Sequence, residues 1–380
     1  MAINLQMLGE KLVKYRDQLQ ESLEEVAAAT GIDLGRLTAI ESASLEPTGD
    51  EVLILADHYQ CDFKFFISNE RVAPFEQTEA LYRAHGSDFT KADRRAIQEF
   101  LYLCETEAYL MGQLGRVGEE FAFTPVGPYL KAHGEAAAHA LRTALGYDSK
   151  AVPRDVFSEF RKVGVHVFRR RLGNSDISGL FIMHPVAGRC ALVNHSEDVY
   201  RQRFSAAHEM AHAIFDVDEI ASVSYLTPRG KDLREVRANR FASCFLMPPD
   251  FLAGLPDPKL WNDRDAIDWA NRLRVSCHAL GIALLEAKLI DRSRSQEIQR
   301  LRVPQADKVD PELPASLSVA ERRRKEHLLE RGLSDGYVGL CFDALQSGVI
   351  STGRLCEALL TSASDLPSVA ALFGRSLHGH

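Results

Sequence analysis

Two histidines four residues apart, His208 and His212, flank a glutamate in the run FSAAHEMAHAIF. On an α-helix that spacing puts both imidazoles on one face, so two ring nitrogens can reach a single divalent cation at about 2 Å each. Glu209 lies beside that face. A carboxylate there can take a proton from a metal-bound water, whose pKa the metal lowers toward neutrality, and pass it to a leaving amine. The flanking Phe204, Ala207, Ala211, Ile214 and Phe215 are apolar or small, which predicts a buried helix. Imidazoles and a carboxylate buried together are costly without a partner, and a metal, Zn2+ above all, supplies one.

A catalytic zinc has three protein ligands and one open position. Downstream acids are Asp216, Asp218, Glu219, Asp232 and Glu235. The first three fall in the loop directly after the helix and would need a sharp return. Glu235 instead opens a second helical run, EVRANRFASCFLMPP, that can pack on the first, and is taken as the third ligand. Asn239, one turn on, shares its face and can hydrogen-bond a ligand imidazole, fixing its orientation. Phe241, Leu246 and Met247 read as core. Tyr225 and His195 are candidates to stabilise an oxyanion, neither singled out by its surroundings.

The elements that must position these residues follow from periodicity. FSEFRKVGVHVFRRRL reads as a helix running into a strand, and SGLFIM and RCALVNH as paired strands turned by HPVAG. After Asn194 the chain reads as helical to about Ile290. The strand around CALVN is expected at a sheet edge bordering the cleft, where an extended peptide can add as a further strand.

The first seventy residues read as four short helices. Leu8, Leu12 and Tyr15 recur at helical spacing, and Ser22 with Glu25 forms a capping box. Gly31 ends the second helix, a third runs from Asp33 through Glu41, and Pro47 and Gly49 precede a fourth, Asp50 to Tyr59. Two short helices joined by a glycine-containing turn are the helix-turn-helix arrangement.

These features carry two resemblances. SLEEVAAATGIDLGRLTAIESASLEP, within about residues 7–67, resembles the Xre-type helix-turn-helix domains of bacterial and phage repressors. Residues 155–290 resemble the ImmA/IrrE metallopeptidases, a gluzincin-like group, through SGL at 178–180, LVN at 192–194, RFSAAHEMAH at 203–212, ExxAN at 235–239, FAS at 241–243, LMP at 246–248 and VS at 275–276. The resemblance implies His208, His212 and Glu235 as zinc ligands and Glu209 as general base. It also implies a regulatory metalloendopeptidase whose protein substrate is a repressor or similar transcription regulator in stress responses or mobile elements. The alternative is a DNA-binding regulator, or an antitoxin-like partner, whose metallopeptidase fold is a sensor or scaffold.

The fold expected is α+β, in five stretches of this 380-residue chain. An all-α helix-turn-helix domain spans 1–70, a helical connector 71–150 and a mostly helical metallopeptidase domain with a small sheet 151–290. An exposed linker over 291–320 and a helical C-terminal segment over 321–380, two helices and a polar tail, complete it. DNA binding would use Arg36 and Thr38 on the third helix, with Lys11, Lys14 and Arg16 on phosphates. Charge opposes this: residues 1–70 carry five basic against thirteen acidic side chains, accounting for the whole net charge of −8. Phosphate neutralisation supplies most of such affinity, so docking of a protein, or a homodimer, is the alternative. Seven scattered cysteines without a CxxC pair read as reduced thiols. The absence of a long apolar run or a signal-like start predicts a cytoplasmic protein with no membrane contact.

Overall fold

The computed structural model describes residues 3–61, 63–68, 76–226 and 232–377. They form two compact units, Met1–Glu105 with Leu172–Asn174, and Thr106–Arg171 with Ser175–His380. The fold is α+β, mostly helical with one four-stranded mixed sheet.

The first unit holds α1 (Leu5–Leu19), α2 (Leu23–Thr30), α3 (Leu34–Glu41), α4 (Gly49–Tyr59), α5 (Phe63–Ile67), α6 (Glu76–His85) and the start of α7 (Lys91–Gln113). The Ser22 capping box forms as its spacing requires, with Glu25 N donating to Ser22 Oγ at 3.2 Å and Ser22 N to Glu25 Oε2 at 2.7 Å. Leu8, Leu12, Tyr15, Val26, Leu37, Ile40, Leu55 and Tyr59 meet in one core. The helical periodicity thus faces inward from four helices at once.

In the second unit, α8 (Leu130–Ala144) and α9 (Val156–Lys162) precede β1 (Val165–Arg170), β2 (Ile177–His184) and β3 (Gly188–Asn194). Then come α10 (Val199–Phe215), β4 (Ala221–Tyr225), α11 (Leu233–Leu246), α12 (Pro249–Ala253), α13 (Asp263–Leu273), α14 (Cys277–Glu286) and α15 (Arg292–Arg300). The chain closes with α16 (Val319–Leu329), α17 (Asp335–Gln346), α18 (Thr352–Ala358) and α19 (Leu366–Leu372).

The strand order is β1-β3-β2-β4, with β1 parallel to β3 and the other pairs antiparallel. The β2–β3 hairpin matches the alternation of SGLFIM and RCALVNH, and its turn closes on Gly188 at φ +79°. Phe181, Ala191 and Val193 of the sheet share one core with Ala206, Ala207, Met210 and Ala211 of α10 and with Phe241 and Phe245 of α11. Small residues along α10 let it lie close to both neighbours, which brings its polar residues to the sheet and to α11.

Three expectations are corrected. The CALVN strand, β3, is interior because β1 pairs along its far side, so the edges are β1 and β4. Strand β4 itself interrupts the helical run expected after Asn194. Residues 291–320 do not form an exposed linker: they carry α15, with Ser295 and Ile298 buried, and the buried acids Asp310 and Glu312. The charge that reads as solvated is paired inside, since Asp310 Oδ2 accepts from Arg169 of β1 at 2.6 Å. Beyond it the backbone at Arg331 bridges Arg170, and Arg171 N donates to Glu330 O at 2.9 Å, so the C-terminal segment takes up the end of the β1 edge. The tail contains α19; residues 378–380 lie outside the described residues. The cysteines are all free thiols, five of them buried. No helix among the described residues is long and apolar enough to cross a membrane.

Candidate metal centre

Helix α10 starts at Asp198, whose carboxylate accepts from Tyr200 N and Arg201 N, and runs unbroken through the HExxH residues to Phe215. One turn separates His208 from His212, and their Nε2 atoms stand 3.1 Å apart. From α11, Glu235 brings Oε2 to 3.2 Å from His208 Nε2 and Oε1 to 3.2 Å from His212 Nε2. Ligands about 2.0–2.1 Å from a tetrahedral ion are separated by about 3.3 Å. The three side chains thus form a triangle whose contacts are close to that separation, Glu235 meeting each imidazole through a different oxygen. Among the described residues, these three form the grouping of His, Cys, Asp or Glu side chains able to hold a metal ion.

The charges of the cluster are mutually dependent. Burial pushes the Glu235 carboxyl up, yet hydrogen bonds with His208 and His212 outweigh it and hold it well below the usual carboxylate range. For His212, burial acts downward, but hydrogen bonds with Asp216 and Glu235 raise it to about 10. Two imidazoles and a carboxylate at this spacing thus bind a proton tightly, and a divalent cation competes with that proton for the same lone pairs.

Each imidazole is held from behind. His208 Nδ1 lies 3.1 Å from Asn239 Oδ1, the contact expected of an asparagine one turn after Glu235. His212 Nδ1 lies 2.8 Å from Asp216 Oδ2, a partner that sequence reasoning weighed only as a ligand. The signal was available: Asp216 follows His212 by four residues, one helical turn. Of the other acids weighed, Asp232 caps α11 and Glu219 pairs with Arg234, both away from the triangle.

Glu209 is completely buried. Burial pushes its pKa up, opposed by the charges of His212 and His208 and by Ser224. Neither of its carboxylate oxygens has a hydrogen bond of proper geometry with a described residue. A buried carboxylate whose oxygens make no well-formed hydrogen bond is a costly state unless something else satisfies it, and a water held at the open corner of the triangle would. Opposite it lies β2, where Gly179 approaches so closely that a Cβ there would stand 2.7 Å from Glu209 Oε1. Gly179 went unread as a site residue; an isolated glycine inside a strand is the signal for such an approach.

The oxyanion candidates part company. Tyr225 ends β4 opposite Ile177, on the strand whose Ser224 acts on Glu209. His195 is lowered to about 4 by burial and by Arg169, in the surroundings of Asp310 and Glu330, so it belongs to the β1 end of the unit. Phe241, Leu246 and Met247 are core, as their spacing implies.

The basic residues singled out in the first unit are engaged within it. Lys11 is buried and donates to Phe65 O at 2.5 Å and Ser68 O at 2.7 Å. Arg16 pairs with Glu41 at 3.0 Å, and Lys14 with Glu79 at 2.8 Å. Arg36 on α3 donates through Nε and Nη2 to both oxygens of Glu51 on α4, which it holds down to about 2. Thr38 is exposed, its hydroxyl donating to Leu34 O at 2.8 Å.

Residues 160–285 match the model of a peptidase family described as the IrrE N-terminal-like domain. The matched stretch contains the whole triangle together with Glu209, Asp216, Asn239 and Gly179. It supports a metallopeptidase-like function of the ImmA/IrrE kind. No curated protein matches the chain.

Proposed function

We propose that this chain is a zinc-dependent metalloendopeptidase that cleaves a transcriptional repressor or similar regulator, and that its first unit is a helix-turn-helix domain used for docking. The observation that carries the reading is the triangle of His208, His212 and Glu235, its contacts 3.1, 3.2 and 3.2 Å through both Glu235 oxygens, with a fully buried glutamate beside it. Two histidines and a glutamate are a donor set that suits zinc with one position left for water.

When bound, the ion lowers the pKa of its water and polarises the scissile carbonyl. His208, His212 and Glu235 hold it, while Asn239 and Asp216 fix the imidazole orientations. Glu209 accepts the proton of the attacking water and delivers it to the departing amine. Burial raises the pKa of Glu209 and so makes it a stronger base toward that proton, against the opposing charges of His212 and His208.

An extended substrate adds to β4, whose outer side pairs with no strand among the described residues. Its inner neighbour β2 brings Gly179 opposite Ser224, so a peptide laid along β4 passes beside Glu209. The decisive variant is Glu209→Gln, which should keep zinc yet abolish cleavage of a repressor encoded nearby. Cleavage persisting in that variant would overturn the mechanism.

For the first unit, the ion pairs of Lys14, Arg16 and Arg36 favour docking onto a protein over tight binding to an operator. Charges already neutralised within the domain release few counterions on DNA. Titration of duplex DNA against rising salt should give a shallow dependence, unaltered by Arg36→Ala. A steep one that flattens in Arg36→Ala would restore operator binding as the role.

A further inference from the structure

The two imidazoles of the cluster are backed unequally. Behind His208 stands the neutral amide of Asn239, 3.1 Å away. Behind His212 stands the carboxylate of Asp216 at 2.8 Å, and the other oxygen of that carboxylate accepts from Arg237 Nη2 at 2.5 Å.

We infer that Asp216 and Arg237 work as one positioning pair, which locks His212 with its proton on Nδ1 and Nε2 turned to the metal, and so sets how tightly the cluster holds the ion. The inference rests on the metal reading above.

Three features carry it. Asp216 is tied to His212 twice, because its backbone N–H also donates to His212 O at 2.8 Å where α10 ends. That bond fixes the backbone of Asp216 at the helix end, one turn from the imidazole its carboxylate meets. Arg237 comes from α11, the helix that supplies Glu235, and its guanidinium lies 4.3 Å over the ring of Phe215. Its grip occupies Oδ1 and leaves Oδ2 for the imidazole. The side chains of Arg237 and Asp216 are only 9% and 8% exposed, so water does not compete for these bonds.

A carboxylate behind an imidazole raises its basicity toward the metal, and loss of such a partner typically weakens metal affinity about 10- to 100-fold. Asn239, lacking charge, orients its ring without that added donation. The pair therefore makes His212 the stronger of the two nitrogen donors and couples its seat to the position of α11.

The test uses the full chain, stripped with a chelator and titrated with Zn2+ in chelator competition, and separately with Co2+ for its visible spectrum. Asp216→Ala should bind zinc about 10- to 100-fold more weakly and change the Co2+ bands. Asp216→Asn, which keeps an acceptor for the imidazole, should lose less, and Arg237→Met should fall between wild type and Asp216→Ala. Should Asp216→Ala fail to fold because Arg237 is left buried and unpaired, the double variant Asp216→Ala/Arg237→Met removes both charges and must show the same loss. Wild-type zinc affinity and Co2+ spectra in all these variants, with only a lower Tm, would overturn the inference and leave the pair structural. Failure of the wild-type chain to bind either ion would instead overturn the metal reading itself.

Discussion

Gly179 on β2 and Glu209 on α10 touch: any Cβ at the glycine would lie 2.7 Å from Glu209 Oε1, 3.1 Å from its Cδ and 2.8 Å from Leu192 O. Strand and carboxylate are thus in contact without a side chain between them. Gly179→Ala must displace either the backbone of β3 or the carboxylate, an overpacking that costs about 1–3 kcal/mol. The expected outcome is a lower Tm and loss of peptide cleavage, with zinc content retained because the ligands are untouched. Full cleavage activity in Gly179→Ala would show that the position of Glu209 is not fixed by β2.

Legibility followed the range of the interactions. His208, Glu209 and His212 share two turns of one helix, so spacing alone placed their donors together. Glu235 and Asn239 were reachable because α11 is amphipathic and follows closely. The interior position of β3 was not, since it depends on parallel pairing with β1 across the intervening β2, and Leu192 and Val193 read alike in an edge or a central strand. Strand β4, ASVSY, is rich in small residues with little strand preference, and its place comes from pairing with β2. Asp310 looks like a solvated acid in a polar stretch, because its partner Arg169 lies 141 residues away. Ion pairing likewise hid the state of Arg36, whose partner Glu51 sits on another helix.

The Arg169–Asp310 pair joins the stretch 291–320 to β1, and both side chains are under a tenth exposed. Removing one partner of a buried pair leaves an uncompensated charge, at about 3–5 kcal/mol. Asp310→Ala should therefore lower stability to denaturant by that amount, and truncation after Ile290 should yield a protein that does not fold cooperatively. An unaltered unfolding midpoint in Asp310→Ala would mean that the segment is only loosely attached.

Glu197, in the turn before α10, is almost wholly buried, with Oε2 accepting from Ser205 Oγ at 2.8 Å. Burial raises its pKa from an ordinary 4.5 to about 7. The folded state thus holds a proton that the unfolded chain releases earlier. Stability from this group is complete below about pH 4.5 and is lost as pH rises through 7, up to about 3 kcal/mol in all. Glu197→Gln, neutral at every pH, should unfold with a flatter pH dependence between pH 5 and 8. Parallel curves for the two proteins would remove Glu197 from the balance.

The most direct test of a single ion held by His208, His212 and Glu235 is X-ray absorption at the zinc edge of the purified protein. The expected spectrum has a first shell of nitrogen and oxygen alone at about 2.0–2.2 Å, with the outer scattering of two imidazoles. A sulfur shell near about 2.3 Å, a single imidazole, or no bound zinc would contradict it.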